Sequence, residues 1–473
     1  YKDQSLYADG ILTYNNNFGN FSVTGLLGAS YQNNTFGEGM NVANGTISLQ
    51  YPNFYSFSNM PYNVIFNSTI NKTVKQGVFA SANIGYKEVL FLDVSERNDW
   101  ASTLALTGNQ SYLYPAFGLS AVISQMIQLP KAISYLKVRA SNSMTGNEVP
   151  FNVVNPWNSI GGAGGPSGIG GINRNSQVPF TNLNPEIITS NEAGADIKFF
   201  NGRLGFDFTY YNSVSTNQFL SLAAPSGSGY SSYFVNAGKI VNKGFELTID
   251  AQPFRTDNFA WDITLNYSYN DSKIVSNNDE NTNITMDEPR SRNLNVTQIV
   301  GETYGALYGT SYNRDAQGRI IHDLDPDGTP IPQVGARKIL GFGVSPTSIG
   351  ISNNFRYKNF NMSVLVEGKY GGQMYSGTNA MSKYFGAHKA TIDADGRENG
   401  FTVSGVDASG AAFTTTIAPD RIEDYWRRTY EIAEESVYDA DYLRLRQMSI
   451  GYTIPRAMLE NTFIKNASIS LIG

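Results

Sequence analysis

The sequence has no cysteine and only two histidines, His322 and His388. Without cysteine there is neither a disulfide framework nor a thiolate metal site. Two histidines are too few for the common zinc centres, and they offer few candidates for the histidine of a Ser-His-Asp triad. These absences point away from metal- and thiol-based enzymes, and the sequence predicts no catalytic centre and no cofactor.

Charged residues are also scarce, at 16% of 473 residues, against roughly 25% in soluble globular proteins. The formal net charge is −6 and no basic run occurs, which excludes nucleic acid as a partner because nothing would neutralise its phosphates. No window of about 18 apolar residues is present, which excludes a helical membrane span. Spanning strands are not excluded, since their hydropathy signal is weak per segment.

Aromatic residues and glycine are abundant, with 29 Tyr, 27 Phe and 46 Gly. The dominant pattern is two-residue alternation: Trp261, Ile263 and Leu265 alternate with Asp262 and Thr264. In a strand these two sets lie on opposite faces. About fourteen segments follow this template. They lie near 5–14, 21–32, 76–86, 89–98, 112–124, 133–143, 189–199, 203–217, 240–252, 259–272, 348–358, 360–371, 440–453 and 467–473.

The connections between these segments alternate between short and long. Tight turns are predicted at 86–89, 199–203 and 358–359. Long loops are predicted at the opposite end of the strands, near 33–75, 144–188, 218–238, 273–347 and 372–439. A large soluble β-protein shares the alternation within strands, but short turns at one end and long loops at the other are typical of a transmembrane barrel. The sequence therefore predicts an all-β, antiparallel, up-and-down transmembrane β-barrel with its long loops outside the cell.

Such a barrel turns an apolar stripe outward to lipid and polar side chains inward. The predicted outward stripe includes Phe206, Phe208, Leu247, Ile249, Ile263, Leu265, Met362 and Val364. Aromatic residues near strand ends suit interfacial girdles, with ordinary cross-strand pairing as the alternative. These residues are Tyr14, Tyr31, Tyr86, Phe199, Tyr210, Phe259, Tyr357, Phe360 and Tyr452. The apolar phase shifts between Leu445 and Met448, which indicates a β-bulge or a strand end that leaves the membrane.

Three motifs suggest chemistry but miss a requirement. The glycine run 161–171 lacks the Gly-Lys-Ser/Thr ending of a phosphate loop and is interpreted as an external loop. Asp323, Asp325 and Asp327 open like a calcium loop, but Val334 stands where a bidentate Glu belongs, so a plain turn is preferred and calcium is kept as a weak alternative. The acidic residues at 431–435 are interpreted as part of a solvated loop helix rather than a glycosidase pair.

Four stretches resemble known sequence patterns. Residues 299–309 are similar to the pattern G-x-P-x-G-x-x-Y-G, with Thr303 in place of Pro. Residues 440–455 are similar to A-x-Y-L-R-L-K-N-x-x-L-G-Y-x-x-P, and 182–211 and 337–377 follow the same family's order. Together they resemble the SusC/RagA-type TonB-linked outer-membrane proteins of Bacteroidetes, along most of the chain.

The resemblance implies a multi-pass outer-membrane transporter of about 22 strands around an N-terminal plug. Residues 1–473 would be a portion of its barrel, with the plug, the first strands and the last strand outside this chain. It further implies active uptake of glycan or peptide oligomers, energised by the TonB–ExbB–ExbD complex through the plug, beneath a SusD-like surface lipoprotein lid. A passive porin or an adhesin-type barrel without TonB coupling is the alternative.

Aromatic and amide side chains in the long loops are candidates for substrate binding, because flat rings stack on sugar faces and amides bond hydroxyls. Loop packing or contact with the lid is the competing interpretation for each of them. The candidates are Phe151, Trp157, Asn158, Tyr230, Tyr233, Tyr375 and Tyr384.

Overall fold

The computed structural model describes residues 2–43, 49–54, 56–59, 65–105, 107–151, 153, 159–160, 172–178, 183–278, 281–288, 293–392 and 396–473. The chain divides into two compact units. The first unit comprises 1–122, 139–191 and 215–237. The second unit comprises 123–138, 192–214 and 238–473.

Within the described residues, strands dominate. In chain order they are β1 (Lys2–Phe18), β2 (Phe21–Ala43), β3 (Ile65–Tyr86), β4 (Leu90–Ala101), β5 (Ser111–Val122), β6 (Ile133–Asn147), β7 (Ser159–Ile160), β8 (Ile172–Asn173), β9 (Glu186–Phe199), β10 (Leu204–Ala223), β11 (Ser232–Arg255), β12 (Phe259–Ser276), β13 (Ile284–Asp287), β14 (Leu294–Gln298), β15 (Ala306–Tyr312), β16 (Ile321–Leu324), β17 (Pro330–Pro332), β18 (Val334–Phe342), β19 (Thr347–Tyr357), β20 (Phe360–Tyr370), β21 (Gln373–Tyr375), β22 (Phe401–Asp407), β23 (Ala412–Ile417), β24 (Val437–Asp439), β25 (Tyr442–Thr453) and β26 (Ser468–Ile472).

Helices are short. The α-helices are α1 (Ile123–Met126), α2 (Gly377–Tyr384), α3 (Gly396–Asn399), α4 (Ile422–Tyr430) and α5 (Arg456–Leu459). Single 3-10 turns lie at Phe57–Asn59, Ser102–Leu104, Ser226–Ser228, Lys389–Thr391, Pro419–Arg421 and Ala433–Ser436. In the described part of the chain, no helix has both the length and the apolar character needed to cross a membrane.

A sheet of fourteen strands is the main structural element, in the order β1-β2-β3-β4-β5-β6-β9-β10-β11-β12-β19-β20-β25-β26. Consecutive members are neighbours, as in an up-and-down meander. Each of the fourteen alternating segments predicted from the sequence corresponds to one of these strands. The predicted all-β, antiparallel, barrel-type fold class is therefore confirmed.

Several strands continue well into the stretches predicted as loops. β2 and β3 have 23 and 22 residues, and they still pair at Asn33↔Val74 and Ala43↔Ile65. About 10 residues of a tilted strand cross the hydrocarbon core of a bilayer. The predicted boundary of a loop at 33–75 is therefore wrong, and so is that at 218–238, where β10 runs to Ala223 and β11 starts at Ser232. The thickness of a bilayer limits how many residues of a strand cross the membrane. It does not stop two strands from staying hydrogen-bonded to each other outside the membrane.

The stretches 277–346 and 371–441, here called the first and second insertions, also differ from simple loops. They contain two four-stranded sheets, β13-β14-β15-β18 and β17-β16-β22-β23. The second of these sheets joins the two insertions through a parallel pairing of Ile321 with Val406. The insertions have their own apolar cores, so they form ordered structure in the second unit.

The register gives the large sheet one apolar face and one polar face. In the second unit, Ile249 pairs with Leu265, and Leu265 with Ile351. The adjacent row on the opposite face is Thr248, Asn266 and Gly350. Directly opposed residues lie on the same face. Leu247, Ile249, Ile263, Leu265, Met362 and Val364 of the predicted stripe consequently share a face, and Phe208 lies 6.0 Å from Phe245, a residue of that face.

The predicted phase shift in β25 is a β-bulge. Leu365 of β20 pairs with Gln447, whereas the next residue, Val366, pairs with Leu445, so Arg446 is the extra residue. The bulge keeps Leu445 and Met448 on the same face although three positions separate them. This finding confirms the bulge as the cause of the phase shift, and β25 continues through it to Thr453.

Candidate functional site

A concave region of about 460 Å³ lies on the polar face of the second unit. Its lining comes from five neighbouring strands and includes Glu246, Asn266, Ser268, Ser348, Glu367 and Arg444. The hydroxyl, amide and charged groups on these strands face one space because the two-residue period places alternate side chains on the same face. A hydrophilic ligand would find hydrogen-bond donors and acceptors along this part of the wall.

Glu367 is the electrostatic centre of this region. Its Oε1 accepts a hydrogen bond of 2.7 Å from Nε of Arg444, and its Oε2 lies 3.8 Å from Nε of Arg446. Arg444 is opposite Glu367 in the β20–β25 register, and the bulge adds Arg446 as a second cation. Sequence reasoning did not select these residues. Charges on adjacent strands could have indicated them, but only with the register known.

The two insertions pack together around one apolar cluster, and the second insertion has a further core of its own. Leu294 and Leu307 of the first insertion pack with Ala433 of the second. A second cluster, within the second insertion, contains Val403, Ile417, Ile422 and Trp426. These side chains are at most 7% exposed, so burial of apolar area holds the insertions in a defined arrangement. These packed clusters therefore hold the loop side chains of the insertions in fixed positions.

Two acidic residues of the second insertion connect it to the first, Glu434 by ion pairs and Glu435 by a hydrogen bond. Glu434 contacts Arg314 at 3.0 Å and Lys338 at 3.2 Å. Glu435 Oε1 lies 2.6 Å from Nζ of Lys383, and its Oε2 accepts a hydrogen bond of 2.7 Å from the Tyr312 hydroxyl. The prediction that these two glutamates belong to a solvated loop helix is wrong, since they lie in the 3-10 turn after α4 and pair with distant residues.

The environment of this network shifts its pKa values. Burial raises the pKa of the Tyr312 hydroxyl strongly, and Glu435 beside it adds to the shift. Burial opposes ionisation of Glu434, but hydrogen bonds from Arg314 and the Tyr312 amide and the nearby Lys338 together lower its pKa. The network therefore holds a neutral tyrosine and a carboxylate at neutral pH, which suits structural bonding rather than proton transfer.

The aspartates of the calcium-like motif lie on the hairpin of β16 and β17. Asp325 Oδ2 is 2.6 Å from Nη2 of Arg421, and Asp327 Oδ2 is 3.3 Å from its Nε. Asp323 accepts a hydrogen bond from Gln333 instead. Among the described residues no group of three or more acidic or histidine side chains is arranged for a metal ion. The guanidinium of Arg421 thus occupies the position between the Asp325 and Asp327 carboxylates that a bound cation would take. Calcium binding by this motif stays a prediction.

The aromatic candidates of the first unit lie in local contacts. Phe151 packs edge-to-face against Phe36, with 5.3 Å between ring centroids. The guanidinium of Arg174 lies 3.9 Å from the ring centroid of Tyr230, and Tyr233 is half-buried near the start of β11. Trp157 and Asn158, like the glycine run 161–171, lie outside the described residues. Binding of substrate by any of these residues stays a prediction.

Tyr375 and Tyr384 belong to the second insertion. Tyr375 packs against the cluster of Leu294, Leu307 and Ala433. Tyr384 lies 4.9 Å from Phe385 and 5.3 Å from Tyr430, centroid to centroid, with the Arg427 guanidinium over its ring. Both rings therefore contribute to packing of the insertion, and a role in substrate binding stays a prediction.

His322 lies where the two insertions meet. It is 1% exposed, its Nδ1 is 3.2 Å from the Ile320 carbonyl oxygen, and its Nε2 has no partner among the described residues. A Cβ on Gly405 of β22 would lie 2.6 Å from Nδ1, so only glycine allows this approach. Burial lowers the pKa of His322, against opposing contributions from the Ile320 carbonyl and from Asp323.

Acidification is therefore expected to loosen the pairing of β16 with β22. Because the folded-state pKa of His322 is below the ordinary value of about 6.5, its contribution to stability is complete above that pH and is lost as pH falls. Proteolysis within 396–417 should accelerate as the pH falls from about 7.5 to 5. The acceleration should be about tenfold for each unit by which the folded-state pKa of His322 is below its unfolded-state pKa. His322→Leu should abolish this acceleration and His388→Gln should preserve it. Equal pH dependence in both variants would contradict the assignment.

Comparison with known proteins bears on these features. The family model described as TonB dependent receptor-like, beta-barrel matches residues 1–427. TonB-dependent receptor P3 of Formosa agariphila is 26% identical over 98% of this chain and 47% of that protein. TonB-dependent receptor SusC of Bacteroides thetaiotaomicron is 23% identical over 60% of this chain and 27% of that protein.

Among solved structures, the RagAB peptide importer in its "closed-closed" state aligns with a TM-score of 0.76 and 16% identity, over 99% of this chain and 51% of that one. At this identity the match shows the fold alone. The chain spans about half the length of the curated relatives that match it along nearly its whole length. These comparisons confirm the resemblance drawn from the sequence motifs.

Proposed function

Since the chain belongs to the TonB-dependent receptor-like β-barrel family of the bacterial outer membrane, we propose that it serves TonB-energised uptake of oligomeric nutrients. The family is one of receptors and transporters rather than enzymes. The observation that carries the proposal is the fourteen-stranded sheet with one apolar and one polar face. Such a sheet suits a wall between lipid and a hydrophilic passage.

In this proposal the chain is one portion of the barrel. The apolar face contacts lipid, and the polar face, including Glu367 and Arg444, lines the passage. An unpaired strand edge in lipid leaves backbone groups without hydrogen bonds, at a cost of several kcal/mol each. The edges of β1 and β26 in the fourteen-stranded sheet are therefore completed by strands outside residues 1–473, and a plug outside this chain contacts TonB–ExbB–ExbD.

The two insertions form the platform for a surface lipoprotein lid of the SusD type. Their shared apolar cluster and the ion pairs of Glu434 give them a fixed surface, and a preformed surface binds with a smaller entropy cost than mobile loops. In an antiparallel meander, alternate connections lie at the same end. The insertions and the β2–β3 connection consequently lie outside the cell, and tight turns such as 358–359 lie in the periplasm.

The cargo in this proposal is an oligomer of sugar or of amino acids. The solved structure with a similar fold carries the name of a peptide importer, and hydroxyl and amide groups on the polar face suit either class. A passive porin would pass its solute without TonB.

Protease treatment of intact cells tests the topology. Cells without the lid are expected to be cleaved within the insertions, for example in 396–417, and cells with the lid are expected to be protected there. Cleavage at 358–359 on intact cells would reverse the topology and remove the lid from the proposal. Uptake that persists after deletion of TonB would favour the passive porin.

A further inference from the structure

A charged cluster in the first unit lies outside the features described above. The carboxylate of Asp99 is 1% exposed and has three partners. Its Oδ1 accepts a hydrogen bond of 2.8 Å from Nε of Arg97, and its Oδ2 lies 3.2 Å from Nζ of Lys75. The Tyr114 hydroxyl also donates to Oδ2. One buried carboxylate thus holds two cations, and these four side chains carry a net charge of +1.

The surrounding strands are shaped to accommodate Arg97. A Cβ on Gly77 would lie 2.3 Å from Nη2 of Arg97 and 2.3 Å from Oδ1 of Asp99. The guanidinium also lies over the ring of Phe79, 5.0 Å from its centroid. That ring in turn needs Gly28, where a Cβ would approach it to 2.4 Å. Two glycines on adjacent strands therefore create the space that one arginine and its supporting ring occupy.

The two cations retain unused hydrogen-bonding capacity. Arg97 donates Nε to Asp99 and Nη2 to Ser30 at 2.9 Å, which accounts for two of the five N–H donors of a guanidinium. The side chains of Lys75 and Arg97 remain 28% and 31% exposed. Donors that are held in place and still accessible are the usual elements of an anion site.

The cluster lies on the polar face, near the outer end of the wall. Arg97 and Asp99 share that face with Ser30 and Gly77. Asp99 lies two residues before the end of β4 at Ala101, which is the end away from the tight turn at 87–89. In the proposed topology the cluster is at the mouth of the passage.

We propose that Lys75 and Arg97 form a binding subsite for a carboxylate or sulfate group, oriented by Asp99. The inference rests on the proposed function, because that proposal places the polar face of the sheet along the passage. The anion is either an acidic group of the cargo, such as a uronate or an acidic peptide side chain, or a carboxylate of another segment of the same transporter. One cation would be enough to neutralise Asp99 in a purely structural ion pair. The cluster has two cations, so one positive charge is left for an anion.

Acylation of Lys75 in the complete, purified transporter tests the subsite without depending on transport. The rate of modification by an amine-reactive acetylating reagent is followed by mass spectrometry, with tetragalacturonate and a neutral tetrasaccharide as probes. Tetragalacturonate should slow acylation roughly tenfold at about ten times its Kd, and the neutral probe should not. Arg97→Gln should weaken protection roughly tenfold, because a charged hydrogen-bonding partner is lost. Gly77→Ala should do the same by displacing Arg97.

Gly10→Ala is the matched control, because a Cβ at Gly10 in β1 meets nothing within 4 Å; it should leave protection unchanged. If an internal carboxylate is the anion, Lys75 should be protected without a probe, and Gly77→Ala should expose it. Two outcomes overturn the subsite: a reactive Lys75 that neither probe protects, or a protected Lys75 whose rate Gly77→Ala does not change. Loss of uptake with protection intact would instead count against the proposed function.

Discussion

Replacement of Lys383 by methionine is expected to destabilise the second insertion by about 3 kcal/mol, since removal of one member of a buried ion pair leaves the other uncompensated. Lys383 is 5% exposed, and its Nζ contacts both Oε1 and the backbone oxygen of Glu435. The low end of the usual range applies because the Glu435 side chain keeps 29% exposure. Proteolysis of the second insertion should accelerate by roughly two orders of magnitude.

Lys389→Met is the matched control, because Lys389 is exposed in a neighbouring 3-10 turn. It should change the rate of proteolysis little. The double variant Lys383→Met, Glu435→Leu should recover much of the lost stability, since an apolar pair then replaces the charged one. Equal effects of the Lys383 and Lys389 variants would show that the buried ion pair does not stabilise the second insertion.

Replacement of Leu265 by arginine is expected to reduce folding into lipid by about 2–4 kcal/mol, the cost of a cation on the lipid face at mid-membrane. Leu265 lies between Ile249 and Ile351 on the apolar face. It is six residues beyond the start of β12 at the tight-turn end, which places it near the middle of a tilted spanning strand. The fraction folded into vesicles, measured against urea concentration, gives the free-energy change.

Asn266→Arg is the control on the opposite face. Asn266 is exposed, lies between Thr248 and Gly350, and accepts a hydrogen bond from the Thr248 hydroxyl. Loss of that bond should cost about 1 kcal/mol at most. Efficient folding of the Leu265 variant together with failure of the Asn266 variant would invert the assignment of the two faces.

The positions of the fourteen strands could be predicted because each strand carries its own two-residue period. The bulge in β25 was predictable for the same reason, since it is a local change of phase between Leu445 and Met448. Of the predicted girdle residues, Tyr86 and Phe360 lie at strand ends, whereas Tyr31 and Tyr210 lie inside long strands. Local pattern locates strands well, but it does not show how far their pairing continues.

The order within the insertions was not predictable from local pattern. β16 and β22 are short strands from separate insertions. They pair in parallel only because the fold brings the two insertions into contact. Glu434 and Glu435 look like a solvated acidic run until Arg314, Lys338 and Lys383 are placed beside them. Short segments gain their structure from tertiary packing rather than from their own propensity.

The sequence by itself determined a chain of alternating strands, one face apolar and the other polar, because the period of a strand is written in consecutive residues. Only the tertiary structure decided which polar residues act together. Arg97 meets Ser30 across 67 positions, and Lys383 meets Glu435 across 52. Strand register and loop packing bring such pairs together, and both depend on the mutual fit of distant segments rather than on any local pattern.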